Sequence, residues 1–230
     1  MSSKPALVII DLQEDFCPPN GSLAVGGGRE VVPVINDLLK LPFVFKVATK
    51  DHHPQNHVSF ASNHEGKRPF ASFVTIRNPN NPDEAYESRL WPDHCVIGTA
   101  GNELVKELDT GEVDLVIEKG TDSRVEMYSA FRPPLTNPPL RESESGLEKI
   151  LKEKGVTDVY FVGLAGDYCV RYSAIDCAKA RDAGWNTYVI EECIRSVDPG
   201  AGWEEAKAEM LNAGVKIVSL KDVVVQRVSS

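Results

Sequence analysis

Gly163-Leu164-Ala165-Gly166-Asp167-Tyr168-Cys169-Val170 stands between two patterns of different period. Before it, Val159-Tyr160-Phe161-Val162 is a continuous apolar run of the kind that buried strands carry; after it, Val170, Ala174, Cys177 and Ala178 recur at the spacing of one face of a long helix. Cys169 therefore falls at a strand-to-helix turn. A helix N-terminus presents unpaired backbone N–H groups and a partial positive charge, which favour a thiolate and can hold the oxyanion formed when a carbonyl is attacked. The plain alternative is an inert packed thiol, since free cysteine is among the most buried residue types.

Outward from this turn the same alternation repeats. Apolar, β-branched runs at residues 6–10, 43–49, 113–118, 187–190 and 216–218 read as further strands, and helical patterns occupy residues 31–39, 101–108, 146–154 and 202–213, the last closed by Gly214. Residues 78–82, Asn-Pro-Asn-Asn-Pro, read as loop. Repeated β-α-β order without a linker predicts one α/β domain over residues 1–230, a parallel six-stranded sheet covered by helices on both faces. Pro133, Pro134, Pro138 and Pro139 mark a loop insertion at about residues 132–145.

Charge and cysteine usage exclude several classes of function. A chain of 230 residues with net charge −9 lacks the clustered Lys and Arg of a nucleic-acid surface. Ala6-Leu7-Val8-Ile9-Ile10 is too short for a signal core or a membrane span, and Val228-Ser229-Ser230 matches no targeting signal. Five cysteines without a CxxC pair suit reduced thiols, so the expected compartment is the cytoplasm, with nucleus and peroxisome left open. Cys17, Cys95, Cys177 and Cys193 are assigned to packing or to the surface.

The strand ends carry the chemistry. The first strand ends at Asp11, the second at Asp51-His52-His53, the third at Lys119, and the fourth leads to Cys169. In a parallel sheet these ends share one edge, where open α/β proteins bind ligands. Each has an ordinary reading: Asp11 as a helix cap, the histidines as a surface cluster, Lys119 as a lysine reaching past the sheet to water. Together they make a thiol, a base and a buried cation, the parts of an activated nucleophile. Asp51 and His53 point the same way on an extended segment, and His94, set in Trp91-Pro92-Asp93-His94-Cys95, completes a possible Asp/His/His set for a divalent cation.

The motifs Ile10-Asp11-Leu12-Gln13-Glu14-Asp15-Phe16, Asp51-His52-His53-Pro54, Trp91-Pro92-Asp93-His94-Cys95, Lys119-Gly120 with Tyr128-Ser129-Ala130-Phe131, and 163–170 resemble those of the isochorismatase-like cysteine hydrolases, in particular the nicotinamidases among them. The resemblance implies a triad of Asp11, Lys119 and Cys169, metal ligands Asp51, His53 and His94, and a cis peptide before Ala165 whose N–H forms an oxyanion hole with that of Cys169. It further implies hydrolysis of nicotinamide to nicotinate and ammonia for NAD salvage. Zinc is the first metal expected, with iron or manganese also suiting the ligands, and the metal would anchor the pyridine nitrogen. Phe16, Trp91 and Tyr168 are the expected walls around a flat ring, and His52 is expected not to touch the metal. Nicotinamide is the expected partner, with a homo-oligomer possible and neither nucleic acid nor membrane involved. The alternatives are an amidohydrolase for another small amide or ureido substrate, and a non-catalytic metal-binding protein.

Overall fold

The structure, a computed structural model, describes residues 3–180 and 182–222. Val228-Ser229-Ser230, which carries the reading on targeting, lies outside the described residues, as do Met1, Ser2 and Arg181. Among those described, no helix is long and apolar enough to cross a membrane.

Six strands form one parallel sheet: β1 Pro5–Ile10, β2 Phe45–Asp51, β5 Leu115–Lys119, β6 Asp158–Leu164, β7 Asn186–Arg195 and β8 Lys216–Val218. Their order is β5-β2-β1-β6-β7-β8. The chain winds outward from β1 in both directions, so β1 and β6 flank the switch point at which such sheets open a crevice. Every residue of β1 and of β6 is buried, as the unbroken apolar runs require of strands covered on both faces. Leu7 and Ile9 pack under α1 (Val32–Leu39) with Ile35 and Leu39. Ala6, Val8 and Ile10 point the other way, toward Leu147 and Leu151 of α2 (Leu147–Glu153), Ala174 of α3 (Arg171–Ala178) and Met210 of α4 (Ala201–Asn212). The period-2 alternation of one strand thus supplies both cores.

Three local expectations are corrected. Residues 101–108 are not a helix: after one tight turn, Ala100–Asn102, Val105 N–H donates to the Leu12 carbonyl, and Glu14 N–H donates to that of Glu103. The helical spacing there records burial of Val105 and Leu108 against α1 instead. Second, residues 78–82 are not all loop. An antiparallel hairpin, β3 Phe73–Asn78 and β4 Asn81–Arg89, turns at Pro79 and Asn80, and its register shifts between Arg77 and Asn78, so that Pro82 sits in a bulge where its missing N–H costs no ladder bond. Third, the helix after Cys169 is short and begins with a wide turn, Gly166–Val170, in which Val170 N–H reaches the Ala165 carbonyl at 3.1 Å. The Pro-rich segment is held by a small separate core of Ile76, Val125, Leu135 and Leu140, and includes a cis Asn137-Pro138 bond.

Candidate active site

Asp11 follows β1 with φ of 45°, a left-handed conformation that Asp tolerates better than most residues. The turn sends its side chain across the sheet edge rather than onto a helix. Thr49 Oγ1 donates to Asp11 Oδ1 at 2.6 Å and accepts from the Asp11 N–H at 3.2 Å. Asp11 Oδ2 lies 3.0 Å from Lys119 Nζ, a buried ion pair. Burial pushes the Asp11 carboxyl up to about 6, against the pull of the Lys119 ammonium.

Lys119 does not reach water; it is 2% exposed. Its ammonium contacts Asp51 Oδ1 at 2.5 Å, the Met127 carbonyl at 3.2 Å and Cys169 Sγ at 3.6 Å. A carboxylate oxygen of Asp11 and one of Asp51 lie within 4.8 Å of the sulfur. Burial raises the Cys169 thiol well above its ordinary value even though Lys119 opposes the rise, so the resting group is a thiol that needs a base.

Asp51 turns its other oxygen away from the lysine. Oδ2 lies 3.6 Å from His53 Nε2 and 4.0 Å from His94 Nε2. Burial alone would raise this carboxyl, but Lys119, His53 and His94 hold it well below the carboxylate range. His53 Nδ1 donates to the Gly120 carbonyl and His94 Nδ1 to that of Pro92, both at 2.8 Å. Each bond fixes a tautomer whose Nε2 lone pair points at Asp51, the arrangement that metal-ligating histidines require. His53 Nε2 is buried without a hydrogen-bond partner. This orphaned acceptor and the carboxylate beside it fit a tetrahedral or octahedral divalent cation with open positions. Gly120, at φ 69°, is needed for the approach, since a Cβ there would meet His53 Cε1 at 2.5 Å. His52 turns away, its Nδ1 2.9 Å from Asn102 Oδ1.

Above the thiol a small pocket is lined by Phe16, Trp91, His94, Tyr128, Ala165, Tyr168 and Cys169, with Leu23, Val25 and Val197 closing it. Trp91 meets Tyr168 edge-on, their ring centroids 4.8 Å apart, and its Nε1–H donates to the Tyr128 hydroxyl at 2.9 Å. The Leu164-Ala165 peptide is cis. All three aromatic residues anticipated from the sequence line the pocket; of the anticipated triad and ligand residues Cys169 and His94 line it, and Asp11, Lys119, Asp51 and His53 cluster against those two.

Thr49, Met127 and Tyr128 were missed as site residues. Thr49 carried a usable signal, its place two residues before Asp51 on the same strand; Met127 acts through a backbone carbonyl, which side-chain chemistry cannot announce.

A family profile for the isochorismatase domain matches residues 5–222. The chain belongs to the isochorismatase family. Within that family it is 41% identical to a nicotinamidase of Acinetobacter baylyi over 96% of this chain and 94% of the relative. It is 35% identical to that of Schizosaccharomyces pombe over 99% of each. The yeast nicotinamidase bound to the inhibitor nicotinaldehyde superposes with a TM-score of 0.83 at 31% identity, covering 94% of this chain and 99% of that one. A Pyrococcus horikoshii pyrazinamidase in complex with zinc superposes with a TM-score of 0.69 at 32% identity, covering 94% and 99%.

Proposed function

We propose that the chain hydrolyses nicotinamide to nicotinate and ammonia through a Cys169 thioester, in the service of NAD salvage. The observation that carries this reading is the convergence of Lys119 Nζ and the Asp11 carboxylate on Cys169 Sγ, a residue that lines an aromatic pocket. The nicotinamidases of similar sequence support the choice of amide.

Asp11 takes the Cys169 proton, and the sulfur bonds to the amide carbon. Lys119 keeps the two carboxylates and the nascent thiolate together, lowering the cost of charge in a dry site. The N–H groups of Ala165 and Cys169 donate to the oxyanion, each such donor contributing about 3–4 kcal/mol in comparable sites. As the C–N bond breaks, Asp11 returns the proton to the leaving nitrogen, which departs as ammonia. Asp11 then takes a proton from water as the oxygen attacks the thioester; the C–S bond breaks, the sulfur regains the proton, and nicotinate leaves.

Asp51, His53 and His94 would hold a divalent cation, zinc foremost, whose Lewis acidity supplies an anchor for a ring nitrogen. Phe16, Trp91 and Tyr168 would sandwich the ring and exclude water. The test is ammonia release from nicotinamide by the zinc-supplied protein beside Cys169→Ala, which is expected to fold normally and release none. No release by the unsubstituted protein overturns the reading.

A further inference from the structure

Glu126 is a carboxylic acid only 2% exposed that the reaction above does not use. A buried carboxyl is costly unless its hydrogen bonds serve a purpose. Its Oε1 accepts from the Met127 N–H at 2.8 Å, which pins the backbone at that peptide. From the opposite side, the Tyr86 hydroxyl of β4 accepts from the Glu126 N–H at 2.9 Å and donates to the Glu126 carbonyl at 2.8 Å. The next carbonyl along, that of Met127, is the acceptor for Lys119 Nζ at 3.2 Å.

The geometry points to Glu126 as a positioning residue for the Lys119 ammonium, acting through the Met127 carbonyl, with Tyr86 as the brace that couples the β3-β4 hairpin to the catalytic floor. Lys119 has Asp11 and Asp51 as its charged neighbours, at 3.0 and 2.5 Å, and the sulfur is the most distant of its contacts at 3.6 Å. An ammonium drawn by two carboxylates settles between them. A neutral acceptor fixed at one side directs one N–H away from the carboxylates and keeps the remaining charge beside the sulfur. The connection after β5 has no helix or sheet ladder of its own at residues 125–128, so this acceptor stays in place only if side chains hold the backbone.

This inference rests on Lys119 and Cys169 acting together, and its test includes a readout that needs no substrate. Glu126→Ala is expected to lower kcat by about tenfold with KM little changed, because a shifted ammonium alters the chemical step rather than the ring pocket. Alkylation of Cys169 by iodoacetamide at fixed pH, followed at that peptide by mass spectrometry, should slow in parallel, since less thiolate is stabilised. Glu126→Gln keeps an acceptor for the Met127 N–H and should restore most of both rates. Tyr86→Phe should slow both, and its combination with Glu126→Ala should be no worse than the latter alone, as for two members of one network. Alkylation unchanged in folded Glu126→Ala would overturn the inference, as would a Gln variant as slow as the Ala variant, or a loss confined to KM. If nicotinamide is not the substrate, the alkylation series still decides the role of Glu126.

Discussion

At the scale of single residues, the site is an arrangement of opposing charges in a dry crevice. Asp11 is useful as a base because burial holds its carboxyl near 6, close to the pH at which it must take and return a proton. The ionised form is the base, so kcat/KM should rise with pH through about 6 and flatten above it; an acid limb centred near 4, or its persistence in a residually active Asp11→Asn variant, would contradict that assignment. Lys119 shows the other side of the balance. It sits between Asp11 and Asp51, and Lys119→Met would leave those carboxylates buried without their cation. Breaking a buried pair of this kind costs about 3–5 kcal/mol, so the variant should unfold at markedly lower urea concentration as well as lose turnover. Full stability would mean that the carboxylates find other partners or protonate without cost.

At the scale of elements, the sheet edge carries the charged groups while loops carry the walls and the braces. The long segment after β5 has few backbone bonds of its own and depends on side-chain anchors. Asp122 is one: Arg124 donates to it from Nε at 2.8 Å and Nη2 at 2.7 Å, and Ser143 from Oγ at 3.0 Å. The Arg124 hydrogen bonds hold this carboxyl down at about 2, below its unfolded value of 3.8. A depressed folded pKa stabilises the native state above the unfolded value, and that contribution disappears as pH falls through about 2. Urea midpoints measured from pH 5 to 2 should therefore decline less steeply in Asp122→Asn than in the unsubstituted protein; identical slopes would show that the anchor does not act through its charge. The effect should be modest, because Arg124 is largely solvent-exposed.

For the whole molecule, the proposed metal ties β2 to the segment ending at His94, which the hairpin separates in sequence. A cation bound only by the native arrangement of Asp51, His53 and His94 stabilises the fold by mass action, about 2.7 kcal/mol at a concentration 100 times the dissociation constant. Zinc should raise the melting temperature, a chelator should reverse the shift, and His94→Ala should abolish the zinc-dependent shift, on top of a lower zinc-free melting temperature from the loss of a buried ring. The amino-acid pattern alone determined much of this protein. Unbroken apolar runs such as Ala6-Leu7-Val8-Ile9-Ile10 cannot be satisfied except in a sheet covered on both faces, and parallel strands place Asp11, Asp51, Lys119 and the Cys169 turn at one edge. Those facts are local or follow from the repeating order. The tertiary structure decided what depends on distant backbone. Residues 101–108 became a strap because their N–H and carbonyl groups found Leu12 and Glu14, and residues 73–89 became a hairpin although half of its side chains face water. Only the folded backbone decided that the Met127 carbonyl holds Lys119 and that the Gly120 and Pro92 carbonyls orient the two imidazoles, because a backbone carbonyl carries no side-chain identity by which a sequence could reveal its role.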